Sequence, residues 1–329
     1  MTGGQIPWRV MPWPVLALLL AFAAGSADAQ NYPDKPIKII VPAASGGPTD
    51  VPARLASQIL QPKLGQPVVV ENRAGAGGAL GARAVAAAPP DGYTLLAGNT
   101  SVLAVQPAVS ASAGYHPVKD FAAIAKVSES YQILVVHPSR PWKTVKDLVD
   151  DAKAHPGTLN FGHTGAGGLP HLTGELFMAR SGAKLTGVPF RSGGEAVTAV
   201  LSGTVEMTFE SITILLPLIR DGKVRALAIT SGKRTPLAPD LPTMMEAGVP
   251  NYEVTTFNGI AAPAGTPANI VGMLSAAMNE GLQSEEVQAT IKRLGAVSTP
   301  GTPAEFEAFI AAQFGKWQAV AKDANIKVD

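Results

Sequence analysis

Apolar positions along this chain fall in short runs, separated by glycine-rich bends and by stretches with helical spacing. The runs lie at residues 37–41, 68–70, 93–97, 159–162, 205–209 and 224–229. Such lengths suit strands buried between helices. Between the runs, residues 52–60, 80–88, 171–179 and 195–201 space their apolar side chains for helices. This alternation predicts an α/β fold with largely parallel sheets. Toward the C-terminus the pattern turns helical, at 267–282, 285–294 and 303–324. There Thr266-Pro267 and Thr302-Pro303 each place a hydroxyl cap before a proline at the first helical position. These read as covering helices.

No long linker divides the chain. Extended polar and β-branched segments at 127–130 and 251–256 are the candidate crossings between lobes. They predict a discontinuous lobe 1, residues 30–129 plus 254–329, and a lobe 2 of residues 130–253.

The N-terminus reads as a secretory signal peptide, residues 1–29, cleaved near Ala29. It has Arg9, an apolar run over 15–24, and then Ala27-Asp28-Ala29. The run stops at Gly25, after roughly half of the 20 residues or so that a membrane span needs. Export to the periplasm is therefore expected. A net charge of +1 offers no basic surface for nucleic acid. With no cysteine, an exported fold must rest on core packing, which about 300 residues can supply.

Glycine-rich loops join several predicted strands to helices. The first runs from Pro42 to Asp50 and holds Ser45, Gly46, Gly47 and Thr49. Glycines let the backbone approach a ligand, Thr49 or Asp50 can cap the next helix, and that helix's N–H groups suit a carboxylate. A second loop over 72–78 has glycine spacing that hints at dinucleotide binding, but no acidic residue follows its next strand to hold a ribose. No cofactor is expected. The third loop, over 162–171, holds His163, Thr164, Gly165 and His171, so two positive helix ends can face one anion across a cleft. His171 and Glu175 share a helical face, yet one such pair plus the more distant His163 is not a metal site of recognised spacing. No Gly-x-Ser-x-Gly elbow, cysteine nucleophile or phosphate-binding loop occurs, so no enzyme is predicted.

Together with Pro33-Asp34-Lys35-Pro36-Ile37, several longer motifs resemble the Bug receptors of tripartite tricarboxylate transporters. These are the first glycine loop, residues 71–78, Pro90-Asp91-Gly92-Tyr93, His171-Leu172 with Gly174-Glu175-Leu176-Phe177, Leu241-Pro242-Thr243 and residues 262–267. The resemblance runs from Tyr32 to the C-terminus. It implies a two-lobed periplasmic binding fold of the Venus-flytrap kind, closing on a small carboxylate. It also implies membrane permease subunits as partners, and a monomeric clamp is the default. Ligand contacts implied in lobe 1 are Ser45, Gly46, Gly47 and Thr49, with Asn99, Thr100 and Ser101 nearby; Asp50 is expected to cap its helix. The departures from the family cluster in lobe 2, at His163, Phe190, Arg191 and Glu210, with Phe257 beyond it. Arg191 is expected to take a second carboxylate bidentately, and Phe190 and Phe257 to form apolar walls favouring an aromatic or longer aliphatic acid. The rival functions are a receptor read by a sensor protein and an enzyme using His163, His171 and Glu210.

Overall fold

The computed structural model describes residues 32–326 apart from Ala166; the signal peptide expected at 1–29 lies outside the described residues. Strand β1 (Ile37–Val41) is flanked in parallel by β2 (Val68–Asn72) and β3 (Thr94–Asn99). Being central, it buries Ile37, Ile39, Ile40 and Val41, and only Lys38 reaches solvent. Helices α1 (Asp50–Leu64) and α2 (Ala79–Ala86) are the crossovers that parallel pairing demands.

A second parallel group is built the same way, from β5 (Asn160–His163), β6 (Thr186–Pro189) and β7 (Met207–Ser211). Its crossovers are α4 (Leu169–Ser181) and α5 (Gly193–Leu201). The groups are joined by β4 (Phe121–Val136), which pairs antiparallel with β9 (Thr255–Pro263) over Phe121 to Tyr131. From Gln132 onward it pairs with β7, and from Ile133 with β8 (Arg225–Ile229). The sheet is therefore mixed, which corrects the expectation of largely parallel pairing. The sequence conceals β4 because Lys126, Ser128, Glu129 and Ser130 interrupt its apolar run.

Helices α3 (Val145–Ala154) and α6 (Ile212–Arg220) also went unmarked in the sequence. The first is a charged, amphipathic segment started by a capping box between Thr144 and Asp147. The second carries Pro217 in its interior, a residue that ordinarily argues against a helix. The covering helices are α7 (Ala268–Leu282), α8 (Glu285–Arg293) and α9 (Pro303–Asp323). Thr302 caps α9 in a box with Glu305. Thr266 does not cap α7: Pro267 occupies the cap position, and the Thr266 hydroxyl donates instead to the carbonyl of Pro263.

One core cluster gathers β1, β3, β9, α1 and α7 around Ile39, Leu60, Leu95, Ile260 and Leu274. Another surrounds Leu134, Phe161, Phe177, Phe209 and Tyr252. It also takes in Trp317, Val320 and Ala321 of α9, together with Ala104, Val105 and Val109 from the helical turns Ser101–Val105 and Gln106–Val109.

Candidate ligand site in the cleft

In a parallel group the loops after the carboxyl ends of the strands share one edge, and ligands bind there. Here the loop after β1 supplies Gly46 and Gly47, and the carboxyl end of β7 supplies Glu210 and Ser211, to one cavity of about 490 Å³. The polar positions that interrupt β4, Ser128 and Ser130, line it with Thr256 and Asn258 of β9. Apolar wall comes from Val51, Pro52 and Leu55 of α1, from Ile214 of α6, and from Ile291 and Leu294. A hollow of similar size between Pro236 and Lys292 gathers nothing from the glycine loops.

The first loop is held from behind by Asp50, whose residue is 1% exposed. Its carboxylate accepts from the Gly46 N–H at 2.9 Å, from Arg54 Nε at 2.8 Å and from Asn72 Nδ2 at 2.8 Å. The Arg54 hydrogen bond, helped by those from Gly46 and Asn72, holds the Asp50 carboxyl down at about 2. This corrects the expected cap: Asp50 is the first residue of α1, no side chain caps that helix, and the acid instead fixes the loop. Asn72 Nδ2 also donates to the Ala43 carbonyl at 3.0 Å, so the second glycine loop braces the first. One consequence is that the Gly46 N–H is spent within the protein. The N–H groups of Gly47 and Thr49 donate to no acceptor among the described residues.

The remaining first-lobe candidates divide by depth. The Thr49 hydroxyl is buried and accepts from Asn99 Nδ2 at 2.6 Å, while Asn99 Oδ1 accepts from the Val102 N–H. Both residues stand behind the loop. Ser45 is exposed, its hydroxyl 3.4 Å from Arg54, and Ser101 is exposed too. Thr100 is buried and accepts from the Phe257 N–H at 2.7 Å, so its hydroxyl ties β3 to β9. The apolar wall expected of Phe257 is not where the sequence put it. Strand alternation turns Thr256 and Asn258 into the cavity and Phe257 away, fully buried against Phe306 and Phe309. Asn258 was missed, and its Oδ1 is buried with no partner among the described residues.

In the second group His163 and His171 pack ring against ring, with centroids 4.4 Å apart. His163 Nδ1 faces the Gly165 carbonyl at 3.1 Å and so carries the proton; Gly165 itself bends the chain at φ +92° beside Thr164. His171 Nδ1 accepts from the Gly167 N–H, leaving its Nε2 toward Glu175 at 3.6 Å. These histidines belong to the scaffold of the third loop and are not among the residues lining the cavity. Burial, and then the neighbouring His163, pushes His171 down to about 4. A base held neutral in this way destabilises the fold as pH falls from about 6.5, its unfolded value, toward 4. The unfolding midpoint is expected to drop across that window, and His171→Gln is expected to flatten the drop when melting curves are compared from pH 7 to 4.

Phe190 lies half-buried with its ring against Gly162 and does not line the cavity. Arg191 is exposed, and its side chain has no hydrogen-bond or ion-pair partner among the described residues. Its backbone N–H donates to Glu195. The charged side chain that this half does present to the cavity is Glu210, an acid where the sequence led us to expect a cation.

Two α/β groups bridged by long antiparallel strands, with a glycine loop facing a cleft, make the architecture of a two-lobed periplasmic solute-binding protein. The family model described as the tripartite tricarboxylate transporter family receptor matches residues 52–326. Protein BugT of Bordetella pertussis is 37% identical over 317 residues, covering 95% of this chain and 97% of its own length. The structure of Rpa4515 from R. palustris with adipate has a TM-score of 0.75 at 34% identity, covering 90% of this chain and 99% of that one. That of MatC from Rhodopseudomonas palustris with bound malate has a TM-score of 0.72 at 34% identity, covering 88% and 99%. The chain belongs to the tripartite tricarboxylate transporter receptor family.

Proposed function

We propose that the protein captures a small organic carboxylate in the periplasm and hands it to the membrane permease subunits of a tripartite tricarboxylate transporter. The observation that carries this reading is the braced loop ahead of α1. It lines the cavity with Gly47, whose N–H has no protein acceptor among the described residues, at the positive end of a helix. The adipate and malate in the related structures agree with a carboxylate. The apolar wall of Val51, Leu55, Ile214 and Leu294 favours an acid with a hydrocarbon body over citrate. Residues 130–253 form the lobe that closes as a monomeric clamp, and closure on ligand is what the permease reads. No chemical step is part of this reading.

The test is thermal unfolding of protein refolded to remove copurified ligand, across a panel of aliphatic, aromatic and amino carboxylates. Ligand at about a hundred times its dissociation constant is expected to stabilise by about 2.7 kcal/mol. A raised midpoint with neutral or cationic solutes and with no carboxylate would overturn the reading.

A further inference from the structure

Glu210 is an acid lining the cleft in which a carboxylate is proposed to bind. It is the penultimate residue of β7, is 8% exposed, and lines the same cavity as Gly46 and Gly47. Its Oε1 accepts from the Ser211 N–H at 2.7 Å, whereas its Oε2 accepts from no donor among the described residues. No lysine, arginine or histidine lies within ion-pair distance of it there. Arg293, the other charged residue lining the cavity, is exposed and donates to the Thr290 hydroxyl. The carboxylate is also seated by design of the backbone: a Cβ at Gly193, the first residue of α5, would overlap Oε2. Burial pushes the Glu210 carboxyl up, as it must for a desolvated anion without a counter-charge.

We propose that Glu210 is a specificity-determining residue that selects a ligand bearing an ammonium group in addition to its carboxylate. The inference rests on the carboxylate-receptor reading above and deepens it. A second carboxylate on the ligand would meet Glu210 as a like charge, which costs affinity in a desolvated site. A zwitterion matches both ends: its carboxylate takes the N–H groups of the first loop, and its ammonium takes Oε2 of Glu210. The apolar wall receives the side chain, so the class that fits is a 2-amino acid with an apolar side chain.

The experiment measures dissociation constants by calorimetry for L-norvaline, L-leucine and L-phenylalanine and for pentanoate, 4-methylpentanoate and 3-phenylpropionate. The proteins are the wild type, Glu210→Gln and Gly193→Ala. At least one amino acid is expected to bind wild type more tightly than its deamino partner, and Glu210→Gln is expected to weaken that amino acid about 100-fold while sparing the partner. Gly193→Ala, which displaces the carboxylate without removing it, is expected to give a smaller loss in the same selective sense. Deamino acids that bind wild type as well as the amino acids do, or Glu210→Gln that binds amino acids as tightly as wild type, overturn the assignment and leave the carboxylate reading standing. Binding by neither series overturns the assignment for this class of ligand, and the wider carboxylate panel then decides the parent reading.

Discussion

Asp50→Ala is expected to lower stability by about 3 kcal/mol and to abolish carboxylate binding in the same protein. The stability loss follows from what the acid holds. Its removal leaves the Gly46 N–H and the Asn72 amide without their acceptor, and Arg54 without its buried partner. Because the Arg54 side chain is 49% exposed, water recovers part of its charge, which sets the figure at the low end for a broken buried pair. The binding loss follows from geometry: with Gly46 at φ +78° and released from Asp50, the loop no longer fixes Gly47 at the cavity wall. Asp50→Asn is the milder variant: its one amide oxygen still accepts, while the charge and one acceptor are lost together because the NH2 faces donors. Urea unfolding and calorimetric titration of both variants check the pair of effects. A fully stable Asp50→Ala that still binds carboxylates would remove the loop from the mechanism. The same acid sets a pH signature. Its folded value near 2 lies below the ordinary carboxylate value, so its contribution is complete above about pH 4 and is lost as pH falls toward 2.

What the sequence disclosed follows from how local each signal was. Strands β1 and β7 could be read because burial leaves short, mostly apolar runs, and the glycine loops because positive backbone angles at Gly46 and Gly165 require that residue. Strand β4 could not be read. Its polar middle is set by the cleft it lines, through Ser128 and Ser130, and that cleft exists only once β9 is paired beside it. The same non-locality misassigned Phe257. Its aromatic character suggested a wall, but only register against β4, with Thr256 and Asn258 turned inward, decides which face it takes. Asp50 looked like a cap because acids at helix starts usually are, and its true acceptor role depends on Asn72 from another loop. For Arg191 and Glu210 the chemistry of the residues was legible and their depth was not. The exposed loop left the arginine outside, and the end of a buried strand carried the glutamate in.

Helix α9 ties the second core to a further apolar cluster around Leu96 and Phe257, and this makes Trp317 the position where a single truncation should cost the most stability. Phe306 and Ile310 in its first half pack with Leu96, Phe121 and Phe257. Trp317, Val320 and Ala321 in its second half enter the cluster of Leu134, Phe161 and Tyr252. Trp317 is fully buried, so Trp317→Ala removes a large side chain from a site ringed by structure that cannot all collapse, at an expected cost of about 4 kcal/mol. Its indole Nε1 has no acceptor among the described residues, so the ring contributes through its bulk and its N–H subtracts. Trp317→Phe is therefore expected to cost only about 1 kcal/mol, as the smaller ring is partly offset by losing an unpaired donor. Urea unfolding of the two variants measures the difference. Equal losses would mean that the indole N–H finds a partner after all, whereas a loss below about 1 kcal/mol for Trp317→Ala would mean that the second core closes over the gap and α9 is not anchored there.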